Sequence, residues 1–74
     1  MSLWSYTVFS EQYESLDLSG YTGYGIAVAT PEGEISVADI FTNYNKTVEI
    51  AALFTRVQLS PLHIWDAVED AIAQ

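Results

Sequence analysis

The sequence contains no cysteine, and Lys46 and Arg56 are its only lysine and arginine among 74 residues. Without cysteine, neither a disulfide nor a thiolate-bound zinc ion can reinforce a small core. Ten acidic residues against these two cations give a formal net charge of −8. Because nucleic acids and anionic membranes are bound through clustered lysine and arginine, we expect neither as a partner.

Long apolar runs are also missing from the sequence. No run approaches the ~18 residues that a membrane-spanning helix requires. No basic stretch followed by an apolar one is present near Met1, so no signal peptide is predicted. Together with the lack of cysteine, these features lead us to expect a cytoplasmic protein.

Apolar and aromatic side chains, in contrast, are plentiful. Half of the residues are hydrophobic and ten are aromatic, which is far from the composition of disordered segments. The length is typical of one domain, so residues 1–74 are predicted to fold as a single unit. A chain this short buries only about 60% of the surface that its unfolded form exposes, which leaves a small core.

The first half of the sequence has the two-residue periodicity of β-strands, predicted over residues 4–10, 21–30 and 34–40. The turn Thr30-Pro31-Glu32-Gly33 joins the last two as a hairpin, and a turn is also predicted over residues 17–20. In the second strand, Tyr24, Ile26 and Val28 share one face. The opposite face carries the small residues Gly23, Gly25, Ala27 and Ala29. We expect a helix or another backbone to approach this small-residue face closely.

The second half of the sequence has helical periodicity. A first amphipathic helix is predicted from the spacing i, i+3, i+4, i+7 of Ile50, Leu53, Phe54 and Val57. Its N-cap is Thr42, Asn43 or Asn45. Ser60 as N-cap and Pro61 at the first helical position predict a second helix that runs to about Ala73. Its apolar stripe comprises Ile64, Ala67, Val68, Ala71 and Ile72.

The predicted fold class is therefore α+β. A three-stranded antiparallel meander is followed by two helices that pack on one sheet face, in the order βββαα.

Several segments resemble a family of short, uncharacterised bacterial proteins, a domain of unknown function. They are the strand Tyr24-Gly25-Ile26, the strand end Asp39-Ile40 and the helix Ser60-Pro61-Leu62-His63-Ile64-Trp65-Asp66-Ala67-Val68-Glu69-Asp70. That family shares a "YGI" strand and a C-terminal helix reading roughly "(T/S)P-x-H-L-x-D-V-(V/I)-E-D". Here Ile64, Trp65 and Ala67 depart from the pattern. The resemblance implies a bacterial cytoplasmic protein and supplies no activity, cofactor or catalytic residue.

The single histidine, His63, precedes Asp66 and Asp70 at helical spacings of three and seven residues, so the three side chains share a face. They suggest a metal site or a general base oriented by a carboxylate. One histidine with two carboxylates is a poor ligand set, and no nucleophile motif accompanies it. We therefore predict local packing for His63 and a solvated acidic face, with no catalytic, metal-binding or cofactor-binding residue.

Ten aromatic side chains exceed what a 74-residue core can hold, and those of the first strand fall on both of its faces. We therefore expect aromatic surface to meet a second copy or another protein, and we predict a homodimer. The residues predicted to form this interaction surface are Trp4, Tyr6, Tyr13, Tyr44, His63, Asp66 and Asp70.

The functional hypothesis from the sequence is a small acidic, non-enzymatic interaction or regulatory module that associates with itself and with an unidentified protein partner. The alternative is a small enzyme or metal-dependent subunit that uses His63 and Asp66. A third hypothesis, an acidic mimic of nucleic acid, requires carboxylates aligned on one face, whereas here they are scattered over both halves of the sequence.

Overall fold

The computed structural model describes residues 3–14 and 20–73. Its elements are β1 (Tyr6–Tyr13), β2 (Tyr21–Thr30), β3 (Gly33–Phe41), α1 (Tyr44–Arg56), a 3₁₀ turn (Pro61–His63) and α2 (Ile64–Ala73). The predicted βββαα order is confirmed. The turn predicted over residues 17–20 lies, apart from Gly20, outside the described residues. No helix in the described part of the chain is long and apolar enough to cross a membrane.

The three strands form one antiparallel sheet in the order β1-β2-β3, so β1 and β3 are its edges. β1 pairs with β2 without a register shift, from Tyr6 opposite Val28 to Tyr13 opposite Tyr21. β1 continues three residues beyond its predicted end, because β2 supplies backbone partners for these additional residues. The polar side chains of Glu11 and Gln12 are tolerated in the strand because they are exposed.

β3 is interrupted by a bulge. Phe41 lies opposite Tyr24 and Val37 lies opposite Ile26, so residues 38–40 of β3 face Gly25 alone. Asp39, in the bulge, has a positive φ of 55°. The extra residues leave Ile40 buried and the carboxylate of Asp39 exposed.

Both helices pack on the sheet face that carries Ile26 and Val28. The side chains of the core come from all three strands and both helices: Tyr6, Ile26, Val28, Val37, Ile40, Ala51, Phe54, Ile64 and Val68. The predicted two-layer arrangement is thus confirmed.

Asn43 is the N-cap of α1, since its side chain accepts a hydrogen bond from the Lys46 backbone N–H at 3.0 Å. The predicted apolar stripe of this helix is only partly right, because Leu53 and Val57 are exposed. The helix instead turns Thr47, Ala51 and Phe54 toward the sheet. Thr47 is accommodated there because its hydroxyl donates to the Asn43 carbonyl at 2.8 Å.

The second helix begins as predicted, with Ser60 capping the 3₁₀ turn and Pro61 at its first position. Ile64, Val68 and Ala71 are buried, as expected. Ile72, which was predicted to belong to the buried stripe, is exposed. Its position lies on the flank of α2, one turn beyond the residues that reach the sheet.

A helix or another backbone was expected over the small-residue face of β2. Aromatic side chains cover its glycines instead of a helix, and the backbone of β3 at Val37 and Ala38 approaches Gly25 closely. Phe9 lies over Gly25, and Tyr13 lies over Gly23. A Cβ atom at Gly23 would stand 2.5 Å from Asp39 Oδ1 and 2.7 Å from Tyr13 Cε2. Both glycines therefore make room for rings from the neighbouring strand, a pairing that compensates for a missing side chain in a sheet.

Gly25→Ala is expected to lower the free energy of unfolding by about 2–4 kcal/mol. The new methyl group would collide with the backbone carbonyl of Val37, which cannot rotate away. Urea unfolding followed by circular dichroism measures the loss.

Gly23→Ala is the matched control. It meets the ends of the Tyr13 and Asp39 side chains, which can turn aside, so we expect a loss of only about 1 kcal/mol. Equal losses in the two variants would contradict this account of the sheet.

Candidate functional site

Gln58 fixes the position of the segment before β1. It stands just after α1 with a positive φ of 52°, at the site in a Schellman motif where glycine is usual. The motif is completed by bonds from Gln58 N to Thr55 O at 3.2 Å and from Leu59 N to Phe54 O at 3.0 Å. A non-glycine residue in this conformation costs about 1–2 kcal/mol, so its side chain is expected to compensate.

The side-chain amide of Gln58 compensates for this backbone strain through four hydrogen bonds. Its Oε1 accepts from the backbone N–H groups of Leu3 at 2.8 Å and Trp4 at 3.0 Å. Its Nε2 donates to the carbonyls of Trp4 at 2.9 Å and Thr55 at 2.6 Å. The backbone around Trp4 is thereby held against the end of α1.

Tyr6 adds a second attachment between the same two regions. Its hydroxyl donates to the Leu59 carbonyl at 2.6 Å, and its backbone N–H donates to Thr55 Oγ1 at 3.0 Å. The ring packs edge-on against Phe54, with 5.5 Å between centroids. Burial raises the pKa of Tyr6 because the phenolate would lose solvation.

A cleft of about 490 Å³ opens beside Trp4. We call it the Trp4 cleft. It lies between the segment before β1, the β2–β3 hairpin and the 3₁₀ turn, and is lined by Trp4, Thr30, Glu32, Gly33, Glu34, Ile35, Ser60, Pro61 and Leu62. Its apolar surface comes mainly from Trp4, Ile35 and the Pro61-Leu62 pair, while the carboxylates at positions 32 and 34 are exposed.

Three large apolar side chains project into solvent from the 3₁₀ turn and α2. Leu62 is 87% exposed, Trp65 is 59% exposed and Ile72 is 53% exposed. We call them the α2 stripe. Leu62 also lines the Trp4 cleft, so the cleft and the stripe are continuous. Exposed apolar groups in one contiguous area are typical of binding surfaces.

The charges near the stripe all have one sign. Asp66, Glu69 and Asp70 are exposed on α2. The two cations of the sequence, Lys46 and Arg56, both lie on α1. Lys46 stands 4.8 Å from the centre of the Phe41 ring, a cation–π contact. The surface around the stripe is thus apolar at its centre and negative at its margin.

A second, shallower groove runs between α1 and the free edge of the sheet. It encloses about 330 Å³ and is lined by Tyr6, Thr7, Val8, Tyr44, Val48, Ala51 and Ala52. We call it the β1 groove. Its lining contains no acidic or basic side chain, although the chain as a whole carries a charge of −8.

On the sheet face away from the helices, Tyr13 and Tyr21 stack with 5.4 Å between ring centroids. Tyr21 donates its hydroxyl to Asp39 Oδ2 at 2.8 Å. That bond is the main cause of the raised pKa of Tyr21. The pKa of Tyr13 is raised first by desolvation and then by the negative charges of Glu11 and Asp39. The hydrogen bond from Tyr21 to Asp39 connects β2 to the bulge in β3.

The residues predicted to form one interaction surface lie in different places. Trp4 is half-buried in the Trp4 cleft, and Tyr6 is only 6% exposed in the core. Tyr13 lies on the far sheet face, whereas Tyr44 lies in the β1 groove, with its ring edge-on to Tyr24. His63, Asp66 and Asp70 are exposed together along the 3₁₀ turn and α2. Tyr6 therefore contributes only a nearly buried part of the lining of the β1 groove.

Sequence reasoning missed the members of the α2 stripe. Ile72 was assigned to the core because it fits the buried periodicity, and Trp65 was noted only as a departure from a family pattern. The available signal was the spacing of Leu62, Trp65 and Ile72, which repeats at three and seven residues on the flank of the buried stripe.

Within residues 3–14 and 20–73, no group of three or more histidine or carboxylate side chains is arranged to hold a metal ion. His63 is exposed at the end of the 3₁₀ turn, and Asp66 is exposed on the first turn of α2. Ser60 in the Trp4 cleft uses its hydroxyl oxygen as the cap of the 3₁₀ turn, accepting from Leu62 N at 3.4 Å.

The fold defines a small α+β domain with an open sheet covered on one face by two helices. The model of the family described as "Family of unknown function (DUF6514)" matches residues 1–74, so the chain belongs to that family. This confirms the resemblance to a domain of unknown function. No curated protein and no solved structure matches the chain.

Gln58→Gly is expected to lower the free energy of unfolding by about 2–3 kcal/mol. Glycine relieves the backbone strain, but four side-chain bonds of about 1 kcal/mol each are lost. In a Trp65→Phe background, the emission of Trp4 should move to longer wavelength as its segment loosens.

Gln58→Asn is the control, since asparagine tolerates positive φ but its shorter amide cannot reach Leu3 and Trp4. It should loosen Trp4 as Gln58→Gly does. A Gln58→Gly variant that is as stable as the parent, with unchanged Trp4 emission, would show that the amide bonds contribute nothing.

Tyr6→Phe should cost about 1–2 kcal/mol at neutral pH, because the Leu59 carbonyl loses its donor. Since burial raises the folded-state pKa of Tyr6 above its unfolded value, stability is retained below about pH 10 and is lost above it. The free energy of unfolding should therefore fall less steeply in Tyr6→Phe than in the parent between about pH 9 and about pH 11.

Urea titrations at each pH measure this difference. The difference between the two proteins at pH 7 is the reference against which their alkaline slopes are compared. The same slope for Tyr6→Phe and the parent would rule out a contribution from the buried phenol.

Proposed function

We propose that this chain is a non-enzymatic protein-interaction module that forms a homodimer through β1 and the β1 groove. The observation that carries the proposal is a regular edge strand, free of bulges and proline, beside an uncharged apolar groove. A bacterial source and a cytoplasmic location belong to the same proposal, supported by the family resemblance and by the cysteine-free composition.

The two edges of the sheet differ in their protection. β3 carries a bulge at residues 38–40 and an exposed Glu34, features that discourage further strand pairing. β1 is eight residues long, contains no proline and keeps a regular register with β2 throughout. Its one acidic residue, Glu11, is exposed but does not line the β1 groove. The outward N–H and C=O groups of β1 are therefore a regular template for another strand.

The groove beside β1 supplies the apolar part of the proposed interface. Val8 is half-buried at its floor, while Tyr44 and Val48 on α1 are exposed along its wall. Two copies related by a two-fold axis would pair their β1 strands antiparallel, which makes the contact self-complementary. Each copy would then cover the groove of the other and continue the sheet to six strands.

Charge supports this choice of surface. Two chains of −8 repel one another, so a stable contact requires a surface free of carboxylates. The lining of the β1 groove meets that condition, whereas the Trp4 cleft and α2 do not. A second copy is therefore better matched to the β1 groove than to either of the acidic surfaces.

Light scattering tests the proposal directly. The parent protein is expected to behave as a particle of twice the 8.2 kDa chain mass at concentrations of about 10 μM and above. Val48→Glu, which places a carboxylate in each groove, should shift the particle to one chain mass with unchanged far-UV circular dichroism.

Val57→Glu is the matched control. It introduces the same charge on the same helix, at a side chain that is exposed but lies outside the groove, and should leave the dimer intact. A parent protein that remains one chain in mass up to about 100 μM would refute the proposal.

The alternative function, a small enzyme or metal-dependent subunit using His63 and Asp66, remains a prediction. Metal analysis of the purified protein tests it. Near-stoichiometric metal that disappears in His63→Ala would favour this alternative over the interaction module.

A further inference from the structure

We infer that the Trp4 cleft and the α2 stripe form one docking surface for a basic amphipathic helix of another protein. We call this area the acidic docking surface. It is separate from the β1 groove, and its use does not depend on dimer formation.

The apolar part of the acidic docking surface has helical spacing. Leu62, Trp65, Glu69 and Ile72 follow one another at intervals of three, four and three residues. From Trp65 to Ile72 this is the a/d spacing along which two helices pack side by side, and Leu62 precedes it in the 3₁₀ turn. Three of these four positions are large apolar side chains that the chain itself leaves exposed. A helix lying along α2 would cover them, as amphipathic helices do in apolar grooves.

The Trp4 cleft extends this seam at the end where α2 begins. Leu62 belongs to both, so a helix that covers Trp65 and Leu62 reaches the cleft within about one further turn. The cleft is rigid at its centre because Gln58 holds the backbone of Trp4 on both sides. An apolar side chain near one end of the partner helix would insert against Trp4 and Ile35.

The charges decide which kind of helix fits. Glu32 and Glu34 border the cleft, and Asp66, Glu69 and Asp70 lie on α2, all of them exposed. Glu69 occupies a seam position, where burial without a cationic partner is unfavourable. A partner with lysine or arginine around its apolar stripe would pair with these carboxylates, and such complementarity also speeds association.

The same charges exclude a second copy of this chain from the surface. The α2 helix of another copy brings three carboxylates and no lysine or arginine, so two such helices would repel each other. An anionic membrane is excluded for the same reason. The occupant is therefore a different protein with a cationic amphipathic helix.

The probe for the test is a synthetic peptide of about three heptads, with Leu or Ile at a and d and Lys at most other positions. Its binding to the full chain is measured by fluorescence anisotropy of a labelled peptide and by a change in Trp65 emission. We expect saturable binding with a Kd of about 10–100 μM at low salt, weakened at least tenfold by added salt.

Glu69→Lys is expected to weaken binding at least tenfold, because it places like charges in the seam. The control, Glu49→Lys, makes the same change in net charge at an exposed position of α1. It should alter the Kd by no more than about twofold. Trp65→Ala should weaken binding similarly to Glu69→Lys. Circular dichroism checks that each variant is folded.

If Glu69→Lys and Glu49→Lys weaken binding equally, the net charge of the chain alone explains the binding, and the inference is overturned. Three other results would also overturn the inference. They are no binding at about 1 mM peptide, loss of the dimer in Trp65→Ala, and co-sedimentation of the chain with vesicles of anionic phospholipid. Val48→Glu separates the two proposals, since it should bind the peptide as the parent does whether or not the parent is a dimer.

Discussion

Tyr6 and Gln58 join the beginning of the sheet to the end of α1 across more than fifty residues of sequence. Their hydrogen bonds close the two-layer structure, because β1 is an edge strand and has a sheet partner on one side only. Glycine at position 58 would relieve the strain of the positive φ, but it has no side-chain amide to hold the backbone of Trp4. The core, the Trp4 cleft and the inner wall of the β1 groove all depend on this attachment.

The charge distribution gives the molecule two different kinds of surface. The β1 groove is apolar without ionisable carboxylates or cations, whereas the Trp4 cleft and α2 combine apolar side chains with exposed carboxylates. A strongly acidic chain can meet its own copy only where the carboxylates are absent, and it attracts basic partners where they are present. Self-association and partner binding are thus proposed for separate surfaces and do not compete.

The periodicity of the sequence was sufficient to predict the βββαα order, because alternation and the 3.6-residue repeat are local properties. Ser60 and Pro61 were readable as helix-start residues for the same reason. For α1 the sequence left Thr42, Asn43 and Asn45 as candidate N-caps, and the structure identifies Asn43. The rotation of α1 was not predictable. Leu53 fits the apolar stripe as well as Ala51 does, and the choice depends on how closely the helix approaches the sheet. The bulge at Asp39 and the cover of Phe9 over Gly25 likewise arise from pairing between distant segments.

The sequence by itself determined the number and type of elements, the absence of disulfide chemistry and the acidic character on which the prediction of no nucleic-acid or anionic-membrane partner rests. Only the tertiary structure decided which aromatic and apolar side chains are exposed and therefore available for binding. Tyr6 is enclosed, while Trp65 and Ile72 remain exposed. The physical reason is that two short helices cover one face of a three-stranded sheet. Which flank of α2 is left uncovered is set by the packing of Ile64 and Val68, and local periodicity does not encode it.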